Sequence, residues 1–161
     1  MVTKIISGGQ TGADLGGLWG ARDAGFPTGG FAPKGYLTEI GPEVAPLQEF
    51  GLVDSGLDYV GRTELNAKHS DVTIWFGHSD TAGWIATQRS AKKHKKLFMD
   101  VTNWSPEKIA KFISPYRIIN VAGNRESLNH GIFEKTRHTI KLSLDIVKTL
   151  DNDLKLQDDR K

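Results

Sequence analysis

Short apolar runs alternate with segments of helical character along most of the chain. The clearest run, DVTIWF at 71–76, has the β-branched and aromatic residues of a buried strand. Further strands are predicted at 3–7, 96–100 and 117–121, and helices at 13–24, 63–69, 84–94, from 105 onwards and at 132–150. This alternation predicts an α/β fold, with a mainly parallel sheet and helices on both of its faces. Segment 36–59 has weak periodicity and several breakers, so we predict irregular structure there.

The chain has no internal repeat and no linker that would divide its 161 residues. We therefore predict one domain over residues 1–150. The remaining residues 151–161, DNDLKLQDDRK, are charged, and we predict a disordered tail there.

Charge and cysteine content exclude several classes of function. A formal net charge of +2 provides no strong field to select nucleic acid, a membrane or an acidic partner. The absence of cysteine excludes disulfides, thiolate metal sites and cysteine nucleophiles, and it suits a reducing cytosol. The first residues lack the apolar core of a signal peptide, and no apolar run approaches the length of a membrane span. We expect a cytoplasmic protein.

The loops that follow the predicted strands are the candidate ligand loops. Right-handed crossovers bring the carboxyl ends of parallel strands to one edge, where open α/β sheets bind ligands. Loops 8–12, 77–83 and 122–131 lie at that edge, and the Gly- and Pro-rich segment 26–35, predicted to be a short strand and a long loop, can reach it.

The loop GGQTG at 8–12 has the composition of an anion-binding turn. Glycines let the backbone approach a ligand, free N–H groups at a helix start favour an anion, and Gln10 and Thr11 add side-chain donors. We interpret it as a phosphate cradle, with an ordinary strand-to-helix turn as the alternative. The spacing matches neither the dinucleotide fingerprint G-x-G-x-x-G nor a Walker loop. Asp14 in the first helical turn either caps the helix or binds a ribose hydroxyl, a base or nearby cations.

Other polar residues give weaker signals. Lys34 in FAPKG offers a point charge to a phosphate, and Arg62 and Thr63 offer a guanidinium and a hydroxyl, with Asn66 one turn further on the same side. Each is also compatible with an ordinary surface role. The five histidines have no metal-type spacing, so no metal site is predicted. The run KKHKK at 92–96 is more typical of a helix end than of a nucleic-acid surface.

Several segments in order resemble a known family. ISGGQTGAD, GGFAPKG, YVGRTELNAKHSDVTIWF, INVAGNRES and GIFEKT together resemble the putative molybdenum carrier family, the circularly permuted YpsA-like branch of the SLOG superfamily, which is related to the lonely-guy proteins. The resemblance covers about residues 4–147. It implies a single Rossmann-like domain that binds a phosphorylated small molecule at the strand ends, such as an ADP-ribose-type nucleotide derivative or molybdenum cofactor. It also implies a homo-dimer or homo-tetramer.

The family's binding positions map to a defined set of residues in this chain. They are Gly8, Gly9, Gln10, Thr11, Gly12, Asp14, Pro33, Lys34, Gly35, Arg62, Thr63, Asn66, Thr81, Gly83, Trp84 and Thr87.

The chain also departs from the family pattern. Leu15 stands where the family usually has arginine, Asn124 where it more often has proline, and Ala82-Gly83-Trp84 where it usually has Gly-Gly-Thr. In the relatives that last loop handles phosphate. Trp84 removes a hydroxyl donor and adds a flat apolar ring, so we predict that it stacks on a base or a pterin.

These departures favour a binding protein over an enzyme. Thr87, followed by Gln88, stands where lonely-guy hydrolases place their catalytic glutamate, and neither is a carboxylate acid or base. The first hypothesis is therefore a carrier or sequestering protein. One alternative is an N-glycosidic or phosphoribosyl hydrolase that uses Asp14, Asp80 or Glu126, although the catalytic residues stay unknown. The other is a single-stranded nucleic-acid-binding module that uses the lysines of 92–96.

Overall fold

The computed structural model describes residues 1–160. Its strands are β1 (Lys4–Ile6), β2 (Thr28–Ala32), β3 (Leu37–Thr38), β4 (Gly41–Pro42), β5 (Leu52–Asp54), β6 (Val72–Phe76), β7 (Leu97–Asp100) and β8 (Ile118–Gly123). Its α-helices are α1 (Ala13–Asp23), α2 (Val44–Glu49), α3 (Tyr59–Lys68), α4 (Ala82–Lys93), α5 (Pro106–Ile113) and α6 (Ile132–Asp158), and a single 3₁₀ turn spans Lys34–Tyr36.

Six of these strands form one sheet in the order β5-β2-β1-β8-β6-β7. Each neighbouring pair is parallel, for example β1 with β8 in the register Ile5 to Ile119. Strands β3 and β4 form a separate antiparallel hairpin. The predicted α/β fold with a parallel sheet is confirmed.

The two faces of the sheet have different chemistry. Because side chains alternate along a strand, Ile74 and Phe76 of β6 join Val121 of β8 in the main core, which α1, α5 and α6 cover. Thr73 of β6 lies on the opposite face, where it accepts a hydrogen bond from Asn120 of β8. Helices α3 and α4 pack together on this second, more polar face.

Glycines in α1 let α6 approach this helix closely. A Cβ atom at Gly16 would lie 2.6 Å from the carbonyl oxygen of Phe133, and one at Gly20 would lie 2.5 Å from that of Arg137. Both distances are far below van der Waals contact, so the crossing of α1 and α6 requires residues without a side chain.

Several predictions of secondary structure are wrong, and among them helix α4 begins at Ala82 instead of residue 84. Segment 36–59 is not irregular, since it contains the hairpin, α2 and β5. Helix α3 begins at Tyr59 instead of residue 63, because Asp58 caps it by accepting a 2.8 Å bond from the Gly61 N–H. Helix α6 does not end at Leu150 but continues to Asp158, since no glycine or proline interrupts it. The division of the chain into a domain and a tail stays a prediction, and the tail's last residue lies outside the described part.

No helix within residues 1–160 combines the length and the apolar character that a membrane crossing requires.

Candidate functional site

A cavity of about 260 Å³ opens at the carboxyl ends of β1, β6 and β8, between the sheet and helices α3 and α4. Its size is near the lower end of the range for small-molecule sites. Parts of all three predicted ligand loops line it, while segment 26–35 does not. Of the predicted binding residues, the cavity brings together Gly8, Gln10, Asp14, Arg62, Thr63, Asn66, Thr81, Gly83 and Thr87.

The glycine loop is not an open phosphate cradle in this structure. The Gln10 N–H donates to the Asp14 carboxylate over 3.3 Å, and the Thr11 N–H donates to the Gln10 side chain over 3.0 Å. The Gly9 N–H donates to Ser7, and the Ala13 N–H donates to the carbonyl of the residue after β8. The protein's own acceptors therefore use the amides that the sequence assigned to a ligand.

Asp14 and Arg62 form an ion pair in the cavity wall. Arg62 Nη1 lies 3.4 Å from Asp14 Oδ2, and the side chains are only 13% and 6% exposed. Burial raises the pKa of the Asp14 carboxyl, and attraction to Arg62 and hydrogen bonds from the Gln10 and Gly8 amides offset only part of that effect. Within the described residues, the buried Nε of Arg62 has no hydrogen-bond partner.

Gly8 provides the space that the guanidinium occupies. A Cβ atom at this position would lie 2.1 Å from Arg62 Nη1 and 2.5 Å from its Cζ. This close approach explains a glycine at the end of β1 without any contact to a ligand.

The first turn of α4 forms the facing wall. Thr81 caps the helix by accepting a 3.2 Å bond from the Trp84 N–H, and residues 81–83 line the cavity. The first N–H groups of a helix have no partner inside the helix, and together with the helix dipole they favour an anion. Arg62 and the start of α4 therefore give the cavity wall two groups that favour an anion.

Three predicted ligand donors are occupied inside the fold. Asn66 accepts a 2.9 Å bond from the Phe31 N–H and returns a 3.0 Å bond to the Phe31 carbonyl, so it clamps α3 to β2. The hydroxyls of Thr63 and Thr87 each donate to the carbonyl four residues earlier, over 2.8 and 2.7 Å. These residues shape the cavity wall, and their predicted contact to a ligand stays untested.

Trp84 does not line the cavity, and the stacking predicted for it has no support in the structure. Its ring packs edge-on against Phe98 of β7, with 5.8 Å between ring centroids. The aromatic residues in the cavity wall are Tyr59 at the start of α3 and Trp75 of β6. The motif YVGRTELNAKHSDVTIWF contains both residues, although neither is among the predicted binding residues.

The remaining predicted residues lie outside the cavity. The FAPKG segment faces Asp54, which accepts a 2.9 Å bond from the Gly35 N–H. Backbone N–H groups of Gly56 and Gly35, together with nearby Lys34, hold the pKa of Asp54 below its ordinary value. Pro33 belongs to the same segment and is also absent from the cavity wall.

Gly9, Thr11 and Gly12 support the loops from outside the cavity. A Cβ atom at Gly12 would lie 2.4 Å from the Asn124 carbonyl oxygen, so this turn packs directly on the loop after β8. The Thr11 hydroxyl donates to Glu39 of the hairpin. Although burial alone would raise it, the pKa of Glu39 is held below its ordinary value by hydrogen bonds from Ser127 and Thr11.

Asn124 joins two of the candidate loops. Its Oδ1 accepts a 2.6 Å bond from the His78 N–H and a 3.2 Å bond from Asn129 Nδ2. A proline at this position has no side-chain oxygen for these bonds. The departure from the family pattern therefore has a structural role.

Of the three candidate carboxylates, only Asp14 lines the cavity. Glu126 caps α6 by accepting bonds from the Gly131 and Phe133 N–H groups, and Asp80 borders a separate open depression. Residues 1–160 contain no group of three or more His, Cys, Asp or Glu side chains placed to hold a metal ion. The lysine run 92–96 lies at the carboxyl end of α4, far along the helix from the cavity, and Lys93 pairs with Glu64.

Comparisons with known proteins agree with the predicted family. Residues 5–144 match the model of the circularly permutated YpsA SLOG family. The crystal structure of a putative molybdenum carrier protein from Syntrophus aciditrophicus SB is similar, with a TM-score of 0.76 and 34% sequence identity over 89% of this chain and 95% of that chain. No curated protein matches the chain. The family match covers most of the sequence, and the chain belongs to the circularly permutated YpsA SLOG family.

Proposed function

We propose that the protein binds a phosphorylated small molecule in the cavity and acts as a carrier or as a sequestering protein. The observation that carries this proposal is the guanidinium of Arg62, which is enclosed in the cavity wall with an incomplete set of partners. A charge-assisted hydrogen bond normally spans about 2.7–2.9 Å. The distance from Arg62 Nη1 to Asp14 Oδ2 is 3.4 Å, which is longer than this range. The Arg62 guanidinium is therefore able to bind a further anion.

The other walls suit a ring. Tyr59, Val60, Ala86, Ala122 and Leu128 surround the cavity with aromatic and aliphatic surface. A compound with a phosphate at one end and a planar ring beside it would use both kinds of wall. An ADP-ribose-type nucleotide derivative and molybdenum cofactor both have this chemistry.

The Syntrophus neighbour, a putative molybdenum carrier protein, supports the second of these ligands. If molybdenum cofactor is the cargo, we expect this chain to hold the phosphate and the pterin ring. The described residues offer no ligand cluster for the metal itself. The proposed role for the protein is then to hold and shield the compound during transfer.

Analysis of bound material tests the proposal. We expect mass spectrometry of the purified protein, together with absorbance above the protein band, to reveal a nucleotide derivative or a pterin. Arg62→Gln should remove this ligand and abolish the thermal shift that ADP-ribose or AMP produces, while Arg89→Gln, an exposed arginine on α4 outside the cavity, should have no effect. Absence of bound material, with no thermal shift from any nucleotide or pterin, would refute the proposal.

A second function, cleavage of an N-glycosidic or phosphoribosyl bond, is favoured by one observation. The buried Asp14 carboxyl lines the cavity and has a raised pKa, as a general acid requires. Incubation with nucleoside monophosphates and NAD should then release a free base, and Asp14→Asn should abolish the release. Absence of turnover in the wild-type protein would exclude this function.

We also propose that the protein is a cytoplasmic homo-dimer or homo-tetramer. A cysteine-free chain suits a reducing compartment, which cell fractionation would test. Val60 and Ile85 on the neighbouring helices α3 and α4 are 60% and 39% exposed and offer an apolar face to a second copy. Val60→Asp should lower the mass measured by light scattering to that of a monomer, whereas Leu154→Asp, at an exposed position of α6, should not.

A further inference from the structure

The mouth of the cavity has a second guanidinium that the sequence analysis did not select. Arg125 follows β8, is exposed and lines the cavity together with Arg62. Both guanidinium groups lie near the Tyr59 ring, with 5.8 Å from its centroid to Arg62 Cζ and 6.0 Å to Arg125 Cζ. Both distances are within the usual range of a cation–π contact.

The two guanidinium groups lie at different depths. The Arg62 side chain is only 13% exposed, whereas Arg125 is open to solvent. A single phosphate would pair with the two anion-binding groups of the inner cavity, the Arg62 guanidinium and the first N–H groups of α4. The outer guanidinium would then have no role in binding that phosphate.

The charged residues around Arg125 leave its guanidinium available to contact an anionic group of a ligand. No carboxylate of residues 1–160 forms an ion pair with it. Arg125 attracts the Glu39 carboxylate electrostatically, but that carboxylate already accepts hydrogen bonds from Thr11 and Ser127. Asp14 balances Arg62, so the mouth retains positive charge.

We propose that the ligand carries a second anionic group, as in a diphosphate, and that Arg125 selects for it at the mouth. This inference rests on the proposed function, because it assigns the inner phosphate to Arg62. Arg125 contacts the outer anionic group, and Tyr59 is a positioning residue that holds both guanidinium groups beside one ring.

Phosphate and pyrophosphate test the proposal without assuming the identity of the ring. We expect wild-type protein to bind pyrophosphate about tenfold more tightly than phosphate in calorimetry, since a tenfold difference is about 1.4 kcal/mol and one charge-assisted bond contributes as much. Arg125→Gln should bring the two affinities to within about twofold and leave phosphate binding unchanged. Arg89→Gln removes the same charge from α4 outside the cavity and should preserve the tenfold preference.

Variants of Tyr59 test the positioning role. Tyr59→Phe keeps the ring face and should keep the preference for pyrophosphate, while Tyr59→Leu removes the ring and should reduce it. Circular dichroism and the melting temperature of each variant show whether it is folded. A loss of the preference for pyrophosphate in a folded Tyr59→Leu protein is then due to the missing ring and not to unfolding.

The outcomes separate the two proposals. If Arg62→Gln abolishes binding of both anions but Arg125→Gln leaves their ratio unchanged, the cavity binds one phosphate and the second anionic group is refuted. The same conclusion follows if Arg89→Gln and Arg125→Gln have equal effects. If wild-type protein binds neither anion, the inference fails, whereas the proposed function fails only if no ligand copurifies and no nucleotide or pterin produces a thermal shift.

Discussion

Replacing Gly8 by alanine should displace Arg62 without disrupting the fold. The new methyl group would lie 2.1, 2.5 and 2.8 Å from Nη1, Cζ and Nε of that arginine, and all three atoms belong to the end of a flexible side chain. The φ angle of Gly8 does not lie in the left-handed region, so alanine fits the backbone. The substitution therefore acts first on the guanidinium, which supplies the three atoms nearest to the new methyl group.

The magnitude follows from what the displaced guanidinium loses. Its ion pair with Asp14 and its contact with an anion are both broken, and a hydrogen bond to a charged group contributes about 1.5–3 kcal/mol. We expect a ten- to hundredfold loss of affinity for ADP-ribose, by about 1.4 kcal/mol per factor of ten. Crowding at the site should lower the free energy of unfolding by about 1–3 kcal/mol.

A double-mutant cycle isolates the cause. In an Arg62→Ala background, Gly8→Ala has no guanidinium to displace, so we expect almost no further loss of stability in urea unfolding. Gly83→Ala is the control, because it adds a methyl group to the same cavity wall where the nearest atom, Trp75 Cη2, is 3.7 Å away. Equal losses from Gly8→Ala in both backgrounds would show that the glycine acts through something other than Arg62.

Four further substitutions test other parts of the structure. Gly20→Ala should destabilise the protein by at least 2 kcal/mol in urea unfolding, a rough figure for overpacking against helix backbone, because its methyl group would lie 2.5 Å from a carbonyl oxygen of α6. Trp84→Phe should leave ADP-ribose affinity unchanged within about twofold in calorimetry, since its ring packs on β7; a larger loss would contradict the present assignment of the cavity wall. Glu39→Ala should accelerate hydrogen exchange in the hairpin at 37–42, because it removes the bonds to the glycine loop and to the loop after β8. Burial raises the pKa of Asp14, so the ionised form costs stability as pH rises from about 4 upward. The wild-type protein should therefore lose stability in urea unfolding as the pH rises above about 4, and Asp14→Asn should remove this part of the pH dependence.

The sheet could be predicted because its strands are continuous apolar runs. Buried parallel strands such as DVTIWF have a sequence signal that does not depend on their neighbours. The position of the ligand edge then follows from the handedness of the crossovers. Strand β5, Leu52–Asp54, has only three residues and one buried side chain, which is too short for such a signal.

The position of Trp84 outside the cavity wall could have been predicted from helix geometry. Thr81 is a good N-cap, and a helix that starts after it places Gly83, Ala86 and Thr87 on one face. Trp84 is rotated by about 100° from Gly83 and faces β7 instead of the cavity. A helix predicted to start at residue 84 leaves Gly83 outside the helix, so the rotation between Gly83 and Trp84 could not be predicted from it. Sequence alone gives no comparable guide to Arg125, because its approach to Tyr59 depends on how the loop after β8 folds over α3.

The glycine loop shows that a group of the same chain can satisfy a local signal for anion binding. Its composition predicts an anion, and an anion is bound there, but it is the carboxylate of Asp14 from the same chain. Backbone N–H groups stabilise any suitably placed negative charge. The Asp14 side chain belongs to the same chain, so it loses none of the translational and rotational entropy that a free ligand loses on binding. The loop therefore fixes a counter-ion for Arg62, and the partly balanced guanidinium faces the first turn of α4 across the cavity. The two candidate functions also require different behaviour of the Asp14 carboxyl in this arrangement. A binding protein needs it as a fixed charge beside Arg62, whereas a hydrolase needs its proton to reach the leaving group.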